Sequence, residues 1–200
     1  MSIATPSDKT IAFIIKPFLF ITCLVPLAWL VWGAMNDTMG ANPVETMTRE
    51  TGEWVLRLLL ITLAITPARK ILHCPWLIKF RRMLGLFVFF YAVIHFLTYV
   101  WFDQFFDWLE ILKDIKKRPF ITLGFVGFIL LIPLALTSTK KMMRRLGKRW
   151  AKLHKLVYVI AVLGVLHFVL LVKADYEQPI IYGVILLALL SHRYFYQTSK

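Results

Sequence analysis

The stretch KLHKLVYVIAVLGVLHF, residues 152–168, sets His154 and His167 13 residues apart in a run that is otherwise almost wholly apolar. A second run, MLGLFVFFYAVIHFLTYVW, carries His95. Imidazoles inside a membrane-grade helix are costly, and their presence points to function. A haem iron takes one imidazole nitrogen from each face of its flat macrocycle. No cysteine or carboxylate shares the expected depth of His95 and His167, which disfavours a zinc or di-iron site. Hydrogen-bonded packing histidines and a proton relay remain the competing readings of the pattern.

Depth follows from helix geometry. If a span begins near Met83, His95 lies 12 residues on, about 18 Å up at ~1.5 Å per residue. If another begins near Lys152, His167 lies 15 residues on, about 22 Å up. Two imidazoles at one depth on two helices suit axial ligation of a haem filling the gap between them. Gly164, three residues before His167, would let a ring approach closely. His154 sits near the inner face. On an ideal helix it lies about 140° from the face of His167, so only a helix end or distortion brings it round. A second, inner haem would need a ligand low on the third span, but the residue 13 before His95 is Arg82. His73, in LHCPW, could substitute, although a loop histidine is more often solvated. His192 is expected at the interface.

The elements that must carry these side chains are membrane spans. The chain has 200 residues, of which 59% are hydrophobic and 15% aromatic. Its mean hydropathy is +0.69, well beyond a soluble domain. Spans are expected near 12–33, 51–67, 83–102, 119–137, 152–172 and 179–196, each close to the ~20 residues that cross a bilayer. Loops between them are too short for a nucleotide-binding unit of roughly 30 residues. The N-terminal apolar run lacks a long basic lead and a small-residue cleavage site, and is expected to be a retained helix. Cys23 falls inside a span and Cys74 in a basic loop, depths that do not suit a disulfide.

The net charge of +13 would suit nucleic acid in a soluble protein. Here the bases sit in short loops, where they act as topology signals and contacts to anionic membrane lipid. Residues 68–82 hold Arg69, Lys70, Lys79, Arg81 and Arg82 with no acid, and residues 138–152 hold seven bases with no acid. Residues 34–50 carry Asp37, Glu45 and Glu50 against Arg49. The positive-inside rule therefore puts both basic loops and both termini in the cytoplasm. Arg57, near the start of the second span, must snorkel or find a partner. At the outer end of that span it could reach a haem propionate. Arg81 and Arg82 could pair with propionates or a flavin phosphate, or serve as snorkelling anchors. The 138–152 loop could likewise dock a flavin phosphate or an acidic donor. Pro26 and Pro133 suggest kinks, and Pro119 suits a first helical turn.

The segments RRMLGLFVFFYAVIHFLTY, RPFITLGFVGFILLIPLALTST and LGKRWAKLHKLVYVIAVLGVLHF, with GANPVETMTRETGEW and ITPARK, resemble the MsrQ family over nearly the whole chain. These are haem-binding inner-membrane subunits of the bacterial periplasmic methionine sulfoxide reductase system. They belong to the ferric-reductase-like transmembrane domains, related to the membrane part of NADPH oxidases. The resemblance implies an all-α integral membrane protein, one domain over 1–200, with six transmembrane helices and both termini cytoplasmic. Haem b would lie between the third and fifth spans. It carries the family's haem histidines onto His95, His154 and His167. One haem at His95/His167 is expected, with a second in doubt because Arg82 stands where the related oxidases place a histidine. It also implies flavin mononucleotide, a periplasmic molybdopterin-dependent reductase as acceptor, and the quinone pool or a cytosolic flavin reductase as donor. The alternatives are a self-sufficient transmembrane ferric or quinone reductase, and a haem-free transporter or scaffold. No inverted repeat is evident, and the spans carry few ionisable groups beyond Arg57 and the histidines, which weighs against transport.

Overall fold

The computed structural model describes residues 6–198, with side chains through residue 195. Among the described residues every regular element is helical. The chain packs as two compact units, Met1–Asp103 and Gln104–Lys200. The protein is a membrane protein: four helical segments are long and apolar enough to cross a bilayer, Asp8–Met35, Pro75–Asp103, Pro119–Leu136 and Lys148–Leu171.

In the first unit, α1 runs Asp8–Met35 and includes a π-helical stretch at Ile11–Ile15. Phe13, Phe18, Ile21, Trp29 and Trp32 are all exposed on it. A helix apolar around its circumference finds its solvent in lipid rather than in a protein core. Pro26 lies inside α1, where it cannot donate to the helix ladder. The Tyr91 hydroxyl enters there, donating to the Cys23 carbonyl at 2.8 Å and accepting from the Leu27 N–H at 3.2 Å.

Helix α2, Pro43–Ile71, starts with Pro43 in its first turn and the Asn42 side chain accepting from the Glu45 N–H, a favoured N-terminal pairing. It ends with Arg69 and Lys70 in its last turn, charges that suit the negative end of the helix dipole. After a 3₁₀ turn at Pro75–Phe80 comes α3, Arg81–Thr98, which runs on as a π-helical turn to Asp103. Helices α2 and α3 pack side by side. Leu56, Leu59, Leu60 and Leu63 are buried on α2, and Leu84, Val88 and Tyr91 on α3. That three-to-four spacing is the apolar stripe of a helix pair, and on α3 its next step is His95.

The second unit opens with α4, Trp108–Lys117, whose N-terminus is capped by the Asp107 carboxylate accepting from Leu109 and Glu110. Helix α5 is Pro119–Leu136, with Pro119 in its first turn and Pro133 inside it. Two short helices follow, α6, Lys140–Leu146, and α7, Lys148–Leu153. Helix α8, Leu156–Leu171, packs against α5, and α9, Glu177–Thr198, against α8. The Phe168 and Tyr182 rings join α8 to α9 at 6.0 Å.

Three stretches expected as loops are partly helical: 103–118 contains α4, 138–152 contains α6 and most of α7, and 34–50 already contains the first turns of α2. The expected fifth span falls within the apolar segment Lys148–Leu171, in which a two-residue turn at His154 and Lys155 separates α7 from α8. The expected second and sixth spans fall on α2 and α9, helices of 29 and 22 residues. Both are more polar than the other four, since α2 carries Glu53 and Arg57, and α9 carries His192 and Arg193.

Candidate functional site

Each unit holds one of the two histidines expected to face each other across a haem, and each histidine is fixed by backbone. In the first unit, His95 Nδ1 lies 2.9 Å from the Thr48 carbonyl oxygen of α2. The Thr51 hydroxyl is farther, at 3.5 Å, and reaches the Met47 carbonyl at 2.7 Å. A carbonyl can only accept, so Nδ1 carries the hydrogen and the lone pair of the neutral ring falls on Nε2. In the second unit, His167 Nδ1 lies 2.6 Å from the Phe120 carbonyl oxygen of α5, and the same reasoning applies. Both rings are half-buried.

The two arrangements repeat in sequence as well as in space. Carbonyl and histidine are 47 residues apart in both. In both, the residue four beyond the carbonyl is a glycine packed against the imidazole, Gly52 beside His95 and Gly124 beside His167. The carbonyl comes from early in the first helix of the pair, and the histidine from late in the second.

His154 is held differently. It caps the C-terminus of α7, at the turn before α8 begins. Its Nε2 lies 3.0 Å from the Thr137 hydroxyl, which itself reaches the Pro133 carbonyl at 2.6 Å. The hydroxyl donates to that carbonyl, so it accepts from Nε2–H, and the neutral His154 ring keeps its lone pair on Nδ1. The Trp150 ring stacks on His154 at 4.1 Å, and its Nε1–H donates to the Thr137 carbonyl at 3.0 Å.

The remaining expected residues lie as follows. Arg57 is ion-paired with Glu53, lies 3.8 Å from Glu50, and stands over the Trp54 ring at 4.9 Å. Glu53, almost fully buried, also binds Arg49 at 3.1 Å. Arg82 is exposed in the first turn of α3. His73 is an exposed loop residue with φ 53°, and His192 is half-buried on α9. Cys23 and Cys74 are buried free thiols.

Sequence reasoning singled out the histidines as candidates and missed the groups they pack against: the Thr48 and Phe120 carbonyls, Gly52 and Gly124. The available signal was a glycine 43 residues before each histidine, a coincidence visible only once both histidines are suspected. It also passed over Glu53 as the partner Arg57 needs. Among the described residues no group of three or more His, Cys, Asp or Glu could hold a bare metal ion. Single imidazoles with Nε2 as the basic nitrogen suit a haem, which needs only one protein ligand per face.

Residues 51–165 match the family described as ferric reductase like transmembrane component. Among curated proteins, the chain is 56% identical over 190 residues to a protein of Herminiimonas arsenicoxydans, covering 94% of this chain and 87% of that one. It is 55% identical to one of Caulobacter vibrioides, covering 87% and 83%, and 50% identical to one of Bordetella pertussis, covering 90% and 88%. Each of these relatives is named protein-methionine-sulfoxide reductase heme-binding subunit MsrQ. No solved structure matches the chain.

Proposed function

The chain belongs to the ferric reductase like transmembrane family and, within it, to the MsrQ proteins, and on that premise we propose that it is the haem-binding electron-transfer subunit of a methionine sulfoxide reductase system in the bacterial inner membrane. Haem b is assigned to His95 and His167. The observation that carries this reading is the matched pair of Nδ1–carbonyl bonds, at 2.9 and 2.6 Å. An imidazole whose Nδ1–H is held by a carbonyl is oriented, is fixed in one tautomer, and offers a more basic Nε2. When bound, the haem supplies a one-electron relay between ferric and ferrous iron.

The chain's own residues bind and orient. His95 and His167 fix the ring between helices, while the apolar stripes of α3 and α8 keep water away from it. His154 is the third family position. To hold an inner haem through Nε2, His154 would have to give up its bond to the Thr137 hydroxyl and change tautomer. Arg57 and Arg82 are assigned to propionates or a flavin phosphate, and the bases of α6 and α7 to flavin mononucleotide or an anionic donor. The chain has six spans in this reading, with α2 and α9 completing the set and both termini cytoplasmic. Electrons enter from the quinone pool or a cytosolic flavin reductase. They leave to a periplasmic molybdopterin-dependent enzyme that reduces methionine sulfoxide in oxidised proteins.

A dithionite-reduced minus oxidised spectrum of the purified chain, with haem counted per protein, tests the assignment. A low-spin b-type signal is expected, lost in both His95→Ala and His167→Ala. A colourless wild-type protein after haem-sufficient expression overturns the reading and returns the histidines to packing.

A further inference from the structure

Glycine inside a helix lowers its stability relative to alanine, so a helix glycine pressed against a functional side chain calls for a reason. In an α-helix the carbonyl of residue i accepts from the N–H of residue i+4. Gly52 therefore stands where its N–H meets the Thr48 carbonyl, and Gly124 where its N–H meets that of Phe120. At Thr48 the Thr51 hydroxyl also donates to the carbonyl, at 3.0 Å, but a ring arriving from the neighbouring helix must pass over the side-chain position of that same glycine. His95 and His167 do so. A Cβ at Gly52 would lie 2.8 Å from His95 Cε1 and 3.1 Å from Nδ1. One at Gly124 would lie 2.9 Å from His167 Nδ1 and 3.0 Å from Cε1. The atoms met belong to a rigid ring already tethered by its Nδ1 hydrogen bond, so the ring cannot yield by flexing a tip. Two other glycines of these helix pairs are slack: Gly85 of α3 has nothing within 4 Å of such a Cβ, and Gly127 of α5 meets only Leu163 at 3.9 Å.

We propose that Gly52 and Gly124 are positioning residues for the haem ligands, each leaving the one gap through which an imidazole docks on a helix carbonyl and so setting the aim and basicity of Nε2. This rests on the assignment of His95 and His167 as ligands. A methyl group at either position pushes the ring off its carbonyl. The Nδ1–H bond is lost, Nε2 becomes a weaker donor, and ferric iron is stabilised less.

The experiment compares Gly52→Ala and Gly124→Ala with Gly85→Ala and Gly127→Ala in the full-length, detergent-solubilised protein. Haem per chain, the electron paramagnetic resonance g-values of the oxidised protein and the midpoint potential are read beside the melting temperature. Gly52→Ala and Gly124→Ala are expected to retain haem roughly 10–100-fold more weakly, as loss of an outer partner does. Their g-values shift and their midpoint potential rises, while both controls match wild type. Unchanged g-values and potential in Gly52→Ala and Gly124→Ala overturn the proposal. So does loss of the folded chain in both with the controls intact, since the glycines would then serve packing. His95→Ala and His167→Ala run alongside separate the two claims. If they keep a low-spin haem, the ligand assignment fails. If they lose it while the glycine variants are unperturbed, only the positioning role fails.

Discussion

Tyr91 lies one helical turn before His95 and is fully buried, yet its hydroxyl serves another helix. It bridges the Cys23 carbonyl and the Leu27 N–H, beside Pro26. Side chains inserted into the i→i−4 ladder are one of the recognised causes of a helix bend. Tyr91→Phe removes the hydroxyl's bonds to both groups and leaves only the bent helix ladder between them, so a loss of about 1 kcal/mol in stability is expected. In a Pro26→Ala background the ladder can close on itself and the same change should cost less. A double-mutant cycle of thermal unfolding in detergent reads the difference, and equal costs in both backgrounds would refute the coupling. A second residue-scale prediction concerns Glu53, buried between Arg49 and Arg57. Glu53→Gln removes the negative charge both guanidiniums face. Since Arg57 is partly exposed, the loss should stay near ~1–3 kcal/mol rather than the larger cost of a fully buried pair. Arg57→Ala should be non-additive with it. At this scale the histidines stood out in the sequence as candidates, because an imidazole in a membrane helix is costly. Their partners did not, because a backbone carbonyl has no letter of its own and is chosen only by how two helices pair.

At the scale of elements, the basic stretch before His154 is ordered rather than a loop. Helix α7 is latched to the end of α5 by Trp150 on the Thr137 carbonyl and His154 on the Thr137 hydroxyl. Trp150→Phe removes one of these donors, worth about 1 kcal/mol, and His154→Ala removes the other. Both variants are expected to speed trypsin cleavage within residues 140–153, and the low-spin signal of the His95/His167 haem should survive His154→Ala. A fall in haem per chain in that variant would measure an inner haem. Loss of the outer signal would place His154 in the same site as His167. The long apolar spans were legible from hydropathy alone. The short helices α4, α6 and α7 were not, since a charge-rich helix of ten residues or fewer leaves no sustained apolar run. The break at His154 was equally hidden. KLHKL holds no glycine or proline, and at the turn His154 is held by the Thr137 hydroxyl and the Trp150 ring.

At the scale of the whole molecule, the open matter is whether α2 and α9 cross the bilayer with the four apolar segments. Their charge is arranged lengthwise, as a crossing helix requires. Helix α2, about 43 Å long at ~1.5 Å per residue, carries Glu45 and Glu50 near its start and Arg69 and Lys70 in its last turn. Its Glu53–Arg57 pair, with Glu53 buried and Arg57 half-buried, neutralises the ionised groups nearest its middle, which lowers the cost of insertion. Helix α9 has Glu177 in its first turn and His192 and Arg193 toward its other end, with IIYGVILLALL between. If either lay on the surface, the acidic 34–50 stretch and the basic 68–82 stretch, or the acidic 173–178 loop and the C-terminus, would share one side, against the positive-inside rule. Single cysteines placed by Asn36→Cys, His73→Cys, Ser138→Cys and Asp175→Cys, in a Cys23→Ala/Cys74→Ala background, read this out. An impermeant maleimide added to intact cells should label positions 36 and 175. Positions 73 and 138 should label only after the membrane is opened, and a C-terminal reporter should be active in the cytoplasm. Labelling of 36 and 73 from the same side would remove α2 from the set of spans, and a C-terminal reporter exposed on the side of 175 would remove α9.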